Sequence, residues 1–171
     1  MATHTAQPDD ALAQVPGDVV LHPLALAMLV LWATNDHLLK ALYPGWWTGK
    51  LSDVASLAFA PLLLTAAWEV GAHALGSDRW RRSRVALWAA MALLGAVMVG
   101  INLWDGWAWA YRHGLGLAQW PFFLLRAGLT GAPWPEPATV DLTMDPTDLL
   151  TLPALLIPAW VHRRARGPRG A

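Results

Sequence analysis

The residues able to do chemistry in this 171-residue chain fall into a few short runs. Asn35-Asp36-His37 precedes Lys40, and Asp36 and Lys40 stand four apart in the acid-before-base order that favours an ion pair along one helix face. Thr48-Gly49-Lys50-Leu51-Ser52-Asp53 follows, with an ammonium and a carboxylate beside a glycine. A third run carries Asp105, Arg112 and His113 among Trp107, Trp109 and Tyr111, and Asp145 and Asp148 close the set. Carboxylates and imidazoles are common proton donors and acceptors in enzymes, so Asp36, His37, Asp53, Asp105 and His113 are the catalytic candidates. Lys50 and Arg112 offer a different chemistry. With the helix start near Asp53 they could hold an anionic lipid headgroup, screened by Trp46, Trp47, Trp107 and Trp109.

Glu69 and His73 also stand four apart, a spacing that could seat two metal ligands or relay a proton. Two ligands do not make a metal site, and a pair at the membrane interface is the simpler expectation. The sequence has no His-Glu-x-x-His, no Gly-x-Ser-x-Gly and no phosphate-cradling glycine loop. It has no cysteine, which removes thiol nucleophiles and thiolate metal sites. Neither a metal nor a cofactor is expected.

Gly49-Lys50-Leu51-Ser52-Asp53, read as Gly-x-Leu-x-Asp, is similar to a fragment of the loop motif of major facilitator transporters. That resemblance implies a transport role. The basic end of the motif is missing here, the loop is predicted on the outer side, and the chain has too few spans. A helix-capping turn at Ser52 or Asp53 accounts for the same residues.

The elements that must position these groups are apolar helices. The chain is 56% hydrophobic and 14% charged, against about 45–50% and about 25% for soluble domains. Its twelve tryptophans suit a membrane–water interface. The pattern predicts an all-α integral membrane bundle of four transmembrane helices, spanning about 19–42, 54–74, 85–104 and 147–162. Residues 1–18 are expected to form a flexible cytoplasmic tail and 163–171 a basic one. Tyr43-Pro44-Gly45 through Lys50 reads as a loop, and Trp104 to Tyr111 as an aromatic belt. Leu115 to Leu129 holds Gln119, Pro121 and Arg126 and is short for a crossing, so an interfacial or re-entrant helix is expected there.

Orientation follows from the basic residues. With four spans, Arg79, Arg81, Arg82, Arg84, Arg163, Arg164, Arg166 and Arg169 share one side, against Lys40, Lys50, Arg112 and Arg126 on the other. Both termini are therefore expected in the cytoplasm of a cell whose Arg-, Ala- and Trp-rich usage suggests a bacterium, with the polar loops outside the inner membrane. Twelve acidic and twelve basic residues cancel, which gives no reason to expect a nucleic-acid partner. Membrane lipids, a membrane-protein partner or a second copy are the expected partners. The leading expectation is a non-enzymatic accessory or lipid-interacting protein. The alternatives are a small membrane enzyme acting on a lipid-linked or headgroup substrate, and an oligomeric transporter or channel protomer.

Overall fold

Proline at a first helical position and apolar runs of about twenty residues start and sustain the helices of this chain. The structure, a computed structural model, describes residues 15–76 and 82–165. A 3-10 turn, Asp18–Leu21, leads into α1 (Pro23–Thr34), whose first turn is capped by the His22 ring accepting from the Leu24 N–H at 3.2 Å. The helix runs on through a π-helical turn, Asn35–Leu39, into α2 (Lys40–Leu42), and stops where Tyr43 leaves helical geometry ahead of Pro44 and Gly45. Next come α3 (Trp46–Ala74), α4 (Arg84–Leu103) and α5 (Asp105–Thr130). Residues 132–145 have no regular secondary structure. A ten-residue 3-10 segment, Pro146–Leu155, then passes into α6 (Leu156–Arg164). Every regular element among the described residues is helical.

α3 is the central element and packs against α1, α4, the 3-10 segment and α6. Ala55 and Ala58 on its buried face are fully covered, and such small residues let neighbouring helices approach closely. Leu62 packs with Phe59, Val19, Leu87 and Val161 towards one end, while Leu57 packs with Met98, Ile101 and Ala154 towards the other. The outside is apolar as well: Leu26 and Val30 on α1, Leu63 and Trp68 on α3, and Trp88 and Leu93 on α4 are all exposed.

Two helices, α3 and α4, are long and apolar enough to cross a membrane. That is coarser than the expected bundle of four spans. α1 continues only through the π-helical turn, and the last expected span is divided between 3-10 and α geometry. Three boundaries also differ from expectation. α3 begins at Trp46, not near Val54, so Lys50 and Asp53 lie inside a helix and neither Ser52 nor Asp53 is its cap. The Gly-x-Leu-x-Asp run is therefore helical and not a loop. The aromatic belt and the expected interfacial segment form one continuous helix, α5. Finally, Gly17 is buried and its N–H is bonded to Glu69, so the end of the expected tail, residues 1–18, is part of the fold. Residues 1–14, Arg79, Arg81, Arg166 and Arg169 lie outside the described residues.

Candidate functional site

The start of α3 borders a cavity of about 710 Å³. α1, the π-turn and α2 supply Trp32, Asp36 and Lys40 to its wall, and α3 supplies Trp46, Lys50 and Asp53. Across from them stand Tyr111, Leu115 and Gln119 of α5, with Val140 to Thr143, Asp145 and Asp148. Five carboxylates and two ammonium groups line this space, and both ammonium groups are already engaged. Lys40 pairs with Asp36 at 2.7 Å, as their spacing predicts, and Asp36 also accepts a short hydrogen bond from the Ser52 hydroxyl. Lys50 bonds Asp145 at 2.8 Å and makes a shorter contact with Asp148, while its ammonium lies 5.2 Å from the centre of the Trp46 ring. The Trp46 indole N–H donates to the Thr147 hydroxyl at 3.2 Å.

The Lys50 ammonium, followed by the Thr147 hydroxyl and N–H, holds the Asp145 carboxyl down at about 2. Asp53 stands beside Asp148 and opens on the cavity. Two like charges so placed are unfavourable unless a cation or a proton lies between them.

The π-helical turn coincides with Asn35-Asp36-His37. One extra residue in the turn rotates the following side chains about the helix, and here Asn35 is turned fully inward. Its amide donates to the Thr48 carbonyl at 2.7 Å and to the Ser52 hydroxyl at 3.0 Å, tying α1 to the start of α3. Asp36 reaches the cavity, whereas His37 is exposed and is not part of its wall.

The remaining candidates scatter. Asp105 is exposed in the first turn of α5. His113 stacks on Trp109 at 4.2 Å and its Nδ1 meets the Trp109 carbonyl at 2.8 Å, so it is held on its own helix. Trp107 packs on Gly100 of α4, and Trp47 is exposed away from the cavity wall. The Arg112 guanidinium donates to the Leu142 carbonyl at 2.6 Å. Lys50 and Arg112 thus have different partners: carboxylates hold the first and a backbone carbonyl holds the second.

Glu69 and His73 do not meet either. Glu69 is 2% exposed and accepts from the Gly17 N–H at 3.2 Å and the Ser83 N–H at 2.9 Å, while His73 is exposed. Nearby, Arg82 pairs with Asp18. No group of three or more metal-ligating side chains occurs among the described residues.

Sequence reasoning missed what Asn102 binds and that the segment after α5 is fastened back onto α5. Asn102 is buried, donates to the Met98 carbonyl at 3.0 Å and accepts from the Asp145 N–H at 2.9 Å. A lone Asn ending an uncharged run was the available signal. Comparison with protein-family models, with curated proteins and with solved structures finds no match.

Proposed function

We propose that this chain is a multi-pass protein of the cell membrane that binds a lipid headgroup in its outer-face cavity without transforming it. Two polar clusters mark the ends of α3, one at Lys50 and one at Glu69. At 1.5 Å per residue they lie about 28 Å apart, close to the roughly 30 Å of a bilayer's hydrocarbon core. Four crossings fit the lengths. The helical run 23–42 measures about 30 Å, and Pro146 to Arg164 on the order of 33 Å, because a 3-10 segment rises about 2.0 Å per residue. The amphipathic α5, with Trp109, Phe122 and Leu125 exposed, is read as lying in the interface. Arg82, Arg84, Arg163 and Arg164 at the Glu69 end favour that end as cytoplasmic.

The observation that carries the reading is the cavity's charge. Five carboxylates face two ammonium groups that are both already paired. A headgroup bearing a protonated amine fits this balance better than a purely anionic one, and Trp46 offers an aromatic face to it. Among Asp36, His37, Asp53, Asp105 and His113, only the two carboxylates Asp36 and Asp53 reach the cavity. That favours binding over acid–base catalysis, which needs the donor and acceptor within hydrogen-bond reach of one substrate.

The test is lipid analysis of protein purified from mixed bilayers. Ethanolamine phospholipids should co-purify in excess of their bulk share, and Asp53→Asn with Asp141→Asn should lower that excess at least threefold. Enrichment of anionic glycerol lipids, abolished by Lys50→Ala with Arg112→Ala, would restore the anionic-headgroup expectation and overturn this one.

A further inference from the structure

Resting on that cavity as the binding site, we infer that α5 and the irregular segment after it, residues 132–144, form one hinged flap that controls access to it. The segment runs back along α5 and is fastened to it at successive levels. The Trp120 indole donates to the Pro135 carbonyl at 2.8 Å, and the Val140 N–H donates to the Arg112 carbonyl at 3.2 Å. The Arg112 side chain returns a bond to the Leu142 carbonyl. Between these, Gly116 packs so tightly that a Cβ there would lie 1.9 Å from the Ala138 carbonyl oxygen. Helix and strap are thus a single body covering residues 105–144.

That body joins the bundle along one edge. Both of its ends meet the bundle at residues with extended dihedrals, Trp104 (φ −134°, ψ 121°) and Asp145 (φ −134°, ψ 102°). Asn102 binds the Asp145 N–H and so holds the two ends together. Lys50 pins Asp145 from α3, and Trp107 seats the first turns of α5 on Gly100 of α4. Next to this edge Tyr111 and Leu142 pack against Leu57 of α3 and Met98 and Ile101 of α4, and beyond those two residues the attachment thins. α5 packs substantially against no helix other than α4, and among the described residues no hydrogen bond or ion pair joins residues 105–144 to α1, α2 or α3. Leu115 and Gln119 instead share the cavity wall with Trp32, Asp36 and Lys40. A rigid body seated at one end and bordering the cavity along the rest of its length is a lid, with the Trp104–Asp145 edge and the Tyr111–Leu142 seat as its hinge.

The chain has no native cysteine, so paired cysteines can carry spin labels in the full-length protein in vesicles. Leu42 on α2 and Leu117 on α5 are both exposed and report the gap; Leu117 and Thr139 report the flap's internal geometry. The expected result is a Leu42–Leu117 distance that is bimodal or broad in phosphatidylglycerol vesicles and shortens in phosphatidylethanolamine vesicles. The Leu117–Thr139 distance should stay fixed in both. A single narrow Leu42–Leu117 distance in both lipids overturns the hinge, and a Leu117–Thr139 distance that varies overturns the single body. A Leu42–Leu117 distribution that is broad but identical in both lipids upholds the flap and rejects the amine headgroup as its ligand.

Discussion

At the scale of single residues, Lys50 and Asn102 carry the arrangement, and each has a distinct signature. Lys50→Met leaves Asp145, Asp148 and Asp53 with no ammonium between them, so repulsion adds to the lost ion pairs. The thermal midpoint in micelles should fall by several degrees, and Lys50→Arg should recover most of the loss. Asp145 adds a pH dependence. Its carboxyl sits at about 2, below its ordinary value of 3.8, so the folded state favours the ionised form. The resulting stability is fully present above pH 4, is lost as the pH falls through 2, and leaves the neutral range flat. Midpoints measured from pH 7 down to pH 2 should show an acid limb that shrinks in Asp145→Asn. For Asn102→Ala the effect is local: the Asp145 N–H loses its acceptor, at about 1–2 kcal/mol. Denaturant unfolding should show that loss without any change in the Asp36–Lys40 pair.

At the scale of elements, glycine marks where helix and strap meet. Gly116→Ala sets a methyl against the Ala138 carbonyl, a backbone atom that cannot turn aside; a cost of about 1–3 kcal/mol is expected, as for overpacking elsewhere. The Val140 N–H should lose its hydrogen-exchange protection at the same time. Gly114→Ala is the control, because nothing lies within 4 Å of its added Cβ, and removing an exposed helix glycine should be stabilising by about 0.5–1 kcal/mol. The same residues explain what could be read from the chain alone. α4 was legible because its apolar run is uninterrupted, and the Asp36–Lys40 pair because its partners share one helix turn. The start of α3 was not, since Pro44-Gly45 and Thr48-Gly49 have loop composition. What holds that turn is the Asn35 amide on the Thr48 carbonyl, from thirteen residues away, together with the local bond of the Thr48 hydroxyl to the Gly45 carbonyl at 2.8 Å. Nor was the full length of α5, whose Arg112, Gly116 and Trp120 find their partners on the strap. The link from Lys50 to Asp145 joins residues 95 positions apart, and no local pattern encodes such a pairing.

At the scale of the whole molecule, the geometry constrains topology more tightly than hydropathy does. Gly45 and Thr143 line the same cavity, so they lie on one side of any membrane that α3 crosses. Leu75, exposed at the far end of α3, lies on the other. Single cysteines at these three positions can be labelled in intact cells with an impermeant maleimide. Labelling at Gly45 and Thr143, with Leu75 reacting only after permeabilisation, is the expected outcome and agrees with the arginine-rich end facing the cytoplasm. Labelling at Leu75 alone would keep the crossing of α3 and invert it. It would also move the acidic cavity to the inner leaflet, where it would meet the anionic surface of that leaflet. Unequal labelling of Gly45 and Thr143 is the outcome that neither orientation allows. It would mean that the strap and the start of α3 are separated by the bilayer, and the cavity, the hinge and the Lys50 ion pairs would fall together.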